Sequence, residues 1–161
     1  MAYPVEPVQV LKLTIEVASR PEAGDILGSP DRCAEITCLL SIGDPYDALP
    51  RGYANVTRKL RLHVADVETE LGATEEDVRQ IIELAESLRA DTGKVLIHCE
   101  AGVSRSSAAA LIMYTCWLGR GREREAMERV LAQRPVAVPN RRMVELADKL
   151  LERKGRLVKV L

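Results

Sequence analysis

The predicted fold is built around one stretch of the chain, Lys94-Val95-Leu96-Ile97-His98-Cys99-Glu100-Ala101-Gly102-Val103-Ser104-Arg105-Ser106-Ser107. The apolar run Val95 to Ile97 predicts a short buried strand, and the apolar stretch Ala108 to Leu118 predicts a helix. Between them lies a turn of small residues that begins after Cys99. A loop that joins a buried strand to a helix start presents several backbone N–H groups to one point, and the helix dipole adds positive potential there. The stretch therefore predicts an anion-binding loop.

Two side chains of this loop can face the same bound anion. Cys99 stands at the first position of the loop and Arg105 stands six residues later. A helix N-terminus and a nearby cation both favour the thiolate, which is the nucleophilic form of cysteine. A buried structural cysteine is the plain alternative. Packing alone gives no reason for an arginine where a helix begins, because a charge at that end would normally be acidic.

These residues carry a family resemblance. The pattern His98-Cys99-x-x-Gly102-x-x-Arg105-Ser106 resembles the signature of the cysteine-dependent protein tyrosine phosphatases, and its ending is most similar to their compact dual-specificity branch. The resemblance covers roughly residues 33 to 152, and beyond the loop it rests on Asp66 and on the segment Arg134 to Asn140. It implies hydrolysis of phosphate esters through a cysteinyl-phosphate intermediate.

In that chemistry Cys99 would be the nucleophile, and Arg105 would hold two equatorial phosphate oxygens with its planar fork. Gly102 would let the backbone turn without a side chain in the way. Backbone N–H groups would cradle the same oxygens, a preorganised electrostatic stabilisation. The residues expected to supply them are Glu100, Ala101, Gly102, Val103, Ser104 and Arg105.

The resemblance also suggests two supporting residues. Ser106 resembles the family's hydroxyl that supports the sulfur as it leaves in the second step; an ordinary serine at a helix N-terminus is the plain alternative. His98 resembles the residue that orders the loop from beneath; it could equally be a core histidine with satisfied hydrogen bonds.

The family places the proton donor on a loop some thirty residues before the nucleophile, after a strand. Asp66 follows the predicted strand Arg58 to Val64 and lies 99 − 66 = 33 residues before Cys99. A solvated loop aspartate is the plain alternative, and Glu70 is the second choice as donor. Three further acids compete for the role: Asp44, Asp47 and Glu68.

The remaining pattern predicts a single α/β domain over residues 1–161, with a catalytic core at about 33–152 and a central, mainly parallel, twisted sheet flanked by helices. The segment Ser19 to Pro30 is expected to be rich in turns, and Ser29 is expected to cap a short helix. The tail Arg156 to Leu161 is expected to form an edge strand or a loose end. The other predicted strands are Val8–Val17, Ile36–Ile42 and Arg58–Val64. Three other helices are predicted: one begins at a capping box at Thr74, one spans Glu123–Gln133, and one begins at Asn140.

Composition excludes several classes of function. The 161 residues are 47% hydrophobic and 29% charged, with a net charge of -1, which is globular and gives no general drive towards nucleic acid. No apolar run approaches membrane-spanning length, the start does not resemble a signal peptide, and nothing indicates an oligomeric state. No cofactor is expected. The four cysteines show no metal-binding spacing and are expected to be reduced thiols in the cytoplasm: Cys33, Cys38, Cys99 and Cys116.

The leading hypothesis is a phosphatase for phosphotyrosine in proteins or peptides, with phosphoserine and phosphothreonine left open. Alternatives are a phosphoinositide or RNA 5′-phosphate phosphatase of the same fold, a sulfur transferase, or a phosphoryl-binding module without turnover. Glu100 in place of basic loop residues favours singly phosphorylated substrates, because its charge is expected to repel further phosphates. Tyr46 and Tyr53 are the candidates for an aromatic wall. Cys38 and Cys116 are expected to be structural, and a disulfide from either to Cys99 stays open.

Overall fold

The computed structural model describes residues 3–5 and 10–161. Four parallel strands form one sheet in the order β1-β4-β2-β3, so the predicted parallel sheet is confirmed. The strands are β1 (Leu13–Ala18), β2 (Ile36–Gly43), β3 (Lys59–His63) and β4 (Gly93–His98). The helices are α1 (Arg20–Leu27), α2 (Pro30–Ala34), α3 (Glu75–Leu88), α4 (Arg105–Leu118), α5 (Glu123–Gln133) and α6 (Arg141–Leu150). Short 3₁₀ turns occur at Tyr53–Asn55 and Val158–Val160.

Helices cover both faces of the sheet, which is why its central strands are apolar without alternation. Along β4, Val95 and Ile97 face the larger core with α3 to α6, whereas Leu96 faces a smaller cluster with α1. Every residue of α4 is buried, as its continuous apolar sequence predicts. In the described part of the chain, no helix combines the length and apolarity needed to cross a membrane.

The strand order determines where chemistry can occur. β4 lies between β1 and β2, and its last residue, His98, pairs with Ala18 at the end of β1 and with Ser41 near the end of β2. Because the strands are parallel, the segments that follow them emerge at the same edge of the sheet, where ligands bind in open α/β folds. The loop after β4 therefore meets the start of α1 and the loops after β2 and β3.

The expectation of turns from Ser19 to Pro30 is wrong, because helix α1 occupies most of this segment. Ser19 and Glu22 form a capping box, and Pro21 stands in the first helical turn. Gly24 is no helix breaker here. A side chain at that position would start 3.3 Å from Cβ of Arg51, so the glycine permits a close approach. The predicted short helix after Ser29 is confirmed as α2.

Both ends of the chain also differ from expectation. Strand β1 begins at Leu13, and residues 6–9, including the predicted start Val8, lie outside the described residues. The tail is neither an edge strand nor a loose end: it ends in the 3₁₀ turn, and Leu157 is fully buried. The Asp148 carboxylate accepts the N–H groups of Gly155 and Leu157 at 2.8 and 2.9 Å, which holds the tail against α6.

The outer edge of β1 offers the tail little to pair with. The N–H of Ile15 donates to the hydroxyl of Tyr114 at 2.9 Å, and the N–H of Val17 donates to Oε1 of Gln133 at 2.8 Å. Side chains thus satisfy backbone groups that an added strand would need.

Candidate active site

The carbonyl groups of the loop after β4 reveal how its N–H groups point. In a trans peptide, the C=O of one residue and the N–H of the next point in opposite directions. No cis peptide bond occurs in the described residues. A carbonyl that is hydrogen-bonded on the outside of a loop therefore turns the following N–H to the inside.

The first four carbonyls are held in this way. Nδ1 of His98 lies 3.0 Å from the oxygen of Cys99, and the N–H of Arg20 donates to the oxygen of Glu100 at 3.1 Å. The guanidinium of Arg134 reaches the next two carbonyls. Its Nη2 is 3.4 Å from the oxygen of Ala101, and its Nε is 3.0 Å from the oxygen of Gly102.

The segment before α6 holds the last two carbonyls. The N–H of Val138 donates to the oxygen of Val103 at 2.9 Å, and the N–H of Asn140 donates to the oxygen of Ser104 at 3.1 Å. All six carbonyls from Cys99 to Ser104 are thus bound from outside the stretch. The N–H groups of residues 100–105 point the other way, a geometry suited to an anion.

Gly102 is required by close packing as well as by conformation. Its φ is +69°, in the left-handed region that favours glycine. A Cβ there would lie 2.6 Å from backbone atoms of Ala18 and Ser19, where β1 passes into α1. Any side chain would push α1 off the loop.

Cys99 and Ser106 are brought together by the turn from loop to helix. Sγ of Cys99 and Oγ of Ser106 are 3.0 Å apart, and both residues are buried. Ser106 occupies the first turn of α4, so its hydroxyl can donate to a thiolate at the helix N-terminus. The contact goes beyond what a plain helix-terminal serine would make.

His98 is both a satisfied core residue and a support for the loop. A carbonyl only accepts hydrogen bonds, so Nδ1 must carry the proton that reaches the oxygen of Cys99. Nε2 then accepts from Oγ of Ser41 at 2.6 Å, and that oxygen accepts from Nη1 of Arg61 at 2.8 Å. Burial lowers the pKa of His98, and the nearby charge of Arg61 lowers it further, so the ring is kept neutral.

Arg105 is buried and points towards the loops that follow β2 and β3. Its Nη1 donates to the oxygen of Val64 at 2.8 Å and lies 3.5 Å from a carboxylate oxygen of Asp44. Its Nε is buried and has no hydrogen-bond partner within residues 3–5 and 10–161. An unpartnered guanidinium donor in the interior is costly, and a bound anion would satisfy it.

Asp66 is tied to the loop that carries Cys99. Its Oδ1 accepts from Oγ of Ser104 at 2.8 Å and from Nδ2 of Asn140 at 3.2 Å. Glu70, the second choice, is exposed and makes no hydrogen bond within the described residues. The geometry thus favours Asp66 over Glu70 for chemistry at this loop, and its role as proton donor stays a prediction.

The other three competing acids have partners of their own, and one of them, Asp44, lies beside Arg105 at the site. Glu68 accepts the N–H of Arg141 at 3.0 Å and so holds the start of α6. Asp47 accepts the N–H of Asp44 at 2.7 Å within the loop after β2. Asp44 faces the guanidinium of Arg105.

The charge of Glu100, expected from the sequence to repel further phosphates, has a partner in the structure. Arg20 binds its carboxylate through two contacts, Nε to Oε2 at 2.9 Å and Nη2 to Oε1 at 3.1 Å. The same carboxylate raises the pKa of Arg20. Arg20 comes from α1, eighty residues before Glu100, and no local pattern in the sequence could have paired them.

The structure bears on two further points that the sequence left open. Tyr53 packs in the smaller core with Nζ of Lys59 4.6 Å from its ring centre, which disfavours it as an aromatic wall, whereas Tyr46 is fully exposed in the loop after β2 and its role as a wall stays a prediction. Cys38 pairs with Val95, four residues or about 13 Å along the strand from Cys99. That distance is beyond disulfide reach.

Cys116 is likewise out of reach, ten residues or about 15 Å along α4 from Ser106. Burial raises the pKa of Cys38 to about 11 and that of Cys116 to about 12, as expected for structural thiols. Among the described residues, no cluster of three or more metal-ligating side chains is present.

Known proteins share both the sequence pattern and the fold. The chain is 35% identical over 78 residues to dual specificity protein phosphatase 5 of Rattus norvegicus, covering 48% of this chain and 18% of that protein. It is 31% identical over 147 residues to MAP kinase phosphatase with leucine-rich repeats protein 3 of Dictyostelium discoideum, covering 87% of this chain and 17% of that protein. The chain thus spans less than a fifth of the length of these relatives.

Solved structures resemble the fold over nearly its full length. Human DUSP28 aligns with a TM-score of 0.63 at 24% identity, covering 94% of this chain and 97% of that chain. PTPMT1 in complex with PI(5)P aligns with a TM-score of 0.62 at 17% identity, covering 89% and 94%. The family described as dual specificity phosphatase, catalytic domain, matches residues 35–150, most of the sequence, and the chain belongs to that family.

Proposed function

We propose that this protein is a single phosphatase domain that hydrolyses phosphotyrosine in proteins or peptides through a phosphocysteine intermediate. The observation that carries the proposal is the convergence of anion donors around one thiol. The N–H groups of residues 100–105 turn inward, and the buried Nε of Arg105 lacks a partner among the described residues. A tetrahedral anion with several acceptor oxygens matches this set of donors.

In the first step the thiolate of Cys99 attacks phosphorus. A sulfur–phosphorus bond forms, the bond from phosphorus to the tyrosine oxygen breaks, and Asp66 donates its proton to that oxygen. Arg105 and the loop N–H groups hold the equatorial oxygens, where negative charge gathers in the transition state. Oδ1 of Asp66 is already bound by Ser104 and Asn140, which leaves Oδ2 to carry the proton.

In the second step water attacks the phosphocysteine. The carboxylate of Asp66 takes a proton from the water, the sulfur–phosphorus bond breaks, and inorganic phosphate is released. The electron pair returns to sulfur, and the hydroxyl of Ser106 stabilises the thiolate across the 3.0 Å contact. Ser106 should therefore matter more for hydrolysis of the phosphocysteine than for its formation.

The rim favours substrates with one phosphate. Arg20 and Arg134, the arginines that contact the loop from outside, each bind a carboxylate, from Glu100 and Glu22 respectively. Paired in this way they offer little attraction to a second or third phosphate. Selectivity for monophosphates thus rests on neutralised cations rather than on repulsion by Glu100.

The cysteine chemistry also suggests a compartment. All four cysteines are free thiols. A thiolate nucleophile survives where thiols are kept reduced, and we place the reaction in the cytoplasm.

The test is turnover of para-nitrophenyl phosphate in the presence of EDTA, followed by a comparison of phosphotyrosine peptides with phosphoinositide head groups. The expected result is full activity without metal, inhibition by vanadate, and higher kcat/KM for the peptides. A requirement for metal would contradict the mechanism, which gives no role to an ion. Preference for a polyphosphorylated head group would favour a lipid phosphatase instead, and vanadate binding without turnover would favour a phosphoryl-binding module.

A further inference from the structure

Arg134 is placed behind the phosphate-binding loop and outside the chemistry described so far. It follows the last residue of α5, and its side chain is 17% exposed. Its neighbour Gln133 fixes the end of α5 to β1 through the N–H of Val17. The position of the Arg134 guanidinium is thus determined by the sheet as well as by the loop.

One guanidinium orients two consecutive peptide groups. Nε of Arg134 donates to the oxygen of Gly102 at 3.0 Å, and Nη2 lies 3.4 Å from the oxygen of Ala101. The peptide planes involved carry the N–H groups of Gly102 and Val103. Holding the carbonyls outward points these N–H groups, which lie at the middle of the loop, towards the anion.

Arg134 is itself held by Glu22. Nη1 and Nη2 donate to the two carboxylate oxygens of Glu22 at 3.0 and 2.8 Å. Glu22 is fixed in turn, because its Oε1 accepts the N–H of Ser19 at 2.9 Å in the capping box of α1. The hydrogen bonds from Arg134 are the largest cause that lowers the pKa of Glu22 to about 2, so the carboxylate is charged near neutral pH.

The geometry points to Arg134 as a positioning residue that, together with Glu22, orients the N–H groups of Gly102 and Val103 towards the phosphoryl group. This inference rests on the phosphatase reaction proposed above for Cys99. Arg134 makes no hydrogen bond to the sulfur of Cys99, and its contacts to the loop are with the backbone carbonyls of Ala101 and Gly102. Without it, the two peptide planes are free to rotate and lose part of the preorganisation on which transition-state binding depends.

The test compares Arg134→Gln, Arg134→Lys and Glu22→Gln with a matched control, Arg58→Gln. Arg58 also binds a carboxylate and a carbonyl, Oδ2 of Asp91 at 2.7 Å and the oxygen of Ser87 at 3.1 Å, but it lies away from the loop. The measurements are kcat and KM with para-nitrophenyl phosphate, the dissociation constant of vanadate by calorimetry, and Tm.

Arg134→Gln is expected to lower kcat about tenfold to a hundredfold, somewhat less than the loss of a whole oxyanion donor. Vanadate affinity should fall in parallel, because vanadate adopts the geometry of the transition state. Arg134→Lys should fall between Gln and wild type, since one ammonium cannot bridge two carbonyls as a fork does. Glu22→Gln should change vanadate affinity in the same direction by a smaller factor, and Arg58→Gln should leave kcat and vanadate affinity unchanged.

Wild-type vanadate affinity and kcat in Arg134→Gln would overturn the inference. If that variant does not fold, unchanged vanadate affinity in Glu22→Gln would overturn it as well. A wild-type enzyme without turnover would refute the proposed function alone. In that case vanadate binding to wild type and Arg134→Gln still decides the role of Arg134.

Discussion

Replacing Asp66 with asparagine would keep the shape of the side chain and remove its ability to release a proton. The amide oxygen can still accept from Oγ of Ser104 and Nδ2 of Asn140, which bind Oδ1 at 2.8 and 3.2 Å in the native protein. The amide nitrogen would then take the position of Oδ2. Substrate binding should change little, because Arg105 and the loop N–H groups hold the phosphate.

The size of the effect follows from the role. General acid catalysis contributes about 10²–10⁴ in rate, so kcat for Asp66→Asn should fall by that factor, equivalent to about 2.7–5.4 kcal/mol of barrier. Asp66→Ala should add a loss of stability, because two hydrogen bonds worth about 1 kcal/mol each disappear. The asparagine variant therefore separates chemistry from folding.

The assay is steady-state kinetics with two leaving groups and a pH series. Phosphotyrosine has the poorer leaving group, so its kcat should fall by a factor near the upper end of the range, about 10⁴. Para-nitrophenyl phosphate needs less help from an acid, so its kcat should fall by a factor near the lower end, about 10². The alkaline limb of the kcat–pH profile should disappear in Asp66→Asn.

Glu70→Gln is the matched control, since Glu70 is an exposed carboxylate on the same loop without a hydrogen bond in the described residues. It should behave as wild type. If Glu70→Gln loses activity in this pattern and Asp66→Asn does not, Asp66 is not the acid.

Three further predictions concern the neighbours of the loop. Ser106→Ala should slow breakdown of the phosphoenzyme about tenfold to a hundredfold, because a hydrogen bond to a charged group contributes about that much. Stopped-flow measurements should then show a burst of para-nitrophenol, and steady product release without a burst would contradict the prediction. Arg20→Ala should expose the charge of Glu100 and lower kcat/KM for doubly phosphorylated peptides about fivefold more than for singly phosphorylated ones. This difference should shrink at high salt, and equal losses for the two kinds of peptide would argue against the prediction. Because the pKa of Glu22 is lowered from 4.5 to about 2 in the folded state, its carboxylate stabilises the fold fully above pH 4.5, and this contribution is lost as pH falls towards 2. The stability gap between wild type and Glu22→Gln in urea unfolding should shrink over that window, and a constant gap would refute the linkage.

Local sequence was sufficient for the centre of the fold. The strand β4, the loop and the buried helix α4 follow from one continuous stretch, because apolar runs, small residues and a helix start are read within a few positions. The parallel sheet also followed, since a helix between two buried strands implies a crossover. Helix α1 did not, because the glycines and prolines between Ser19 and Pro30 are typical of turns, although Ser19 and Glu22 form a capping box in the structure.

What holds the loop could not be predicted, because its partners are distant in sequence. The carbonyls of Glu100 and Gly102 are bound by Arg20 and Arg134, which are eighty and thirty-two positions away. The neutralisation of Glu100 has the same origin. Such pairings depend on which elements the strand order brings to one edge, and a pattern along the chain does not contain that information.

The central claim is that Cys99 accepts the phosphoryl group. Wild-type enzyme mixed with a phosphotyrosine peptide, quenched in acid within the first turnover and digested, should yield the Cys99 peptide carrying one phosphoryl group by mass spectrometry. Cys99→Ser should retain vanadate binding through Arg105 and the loop, give no such adduct, and keep less than about one hundredth of the activity. Turnover in Cys99→Ser above that level, or phosphate found on another residue, would contradict the account.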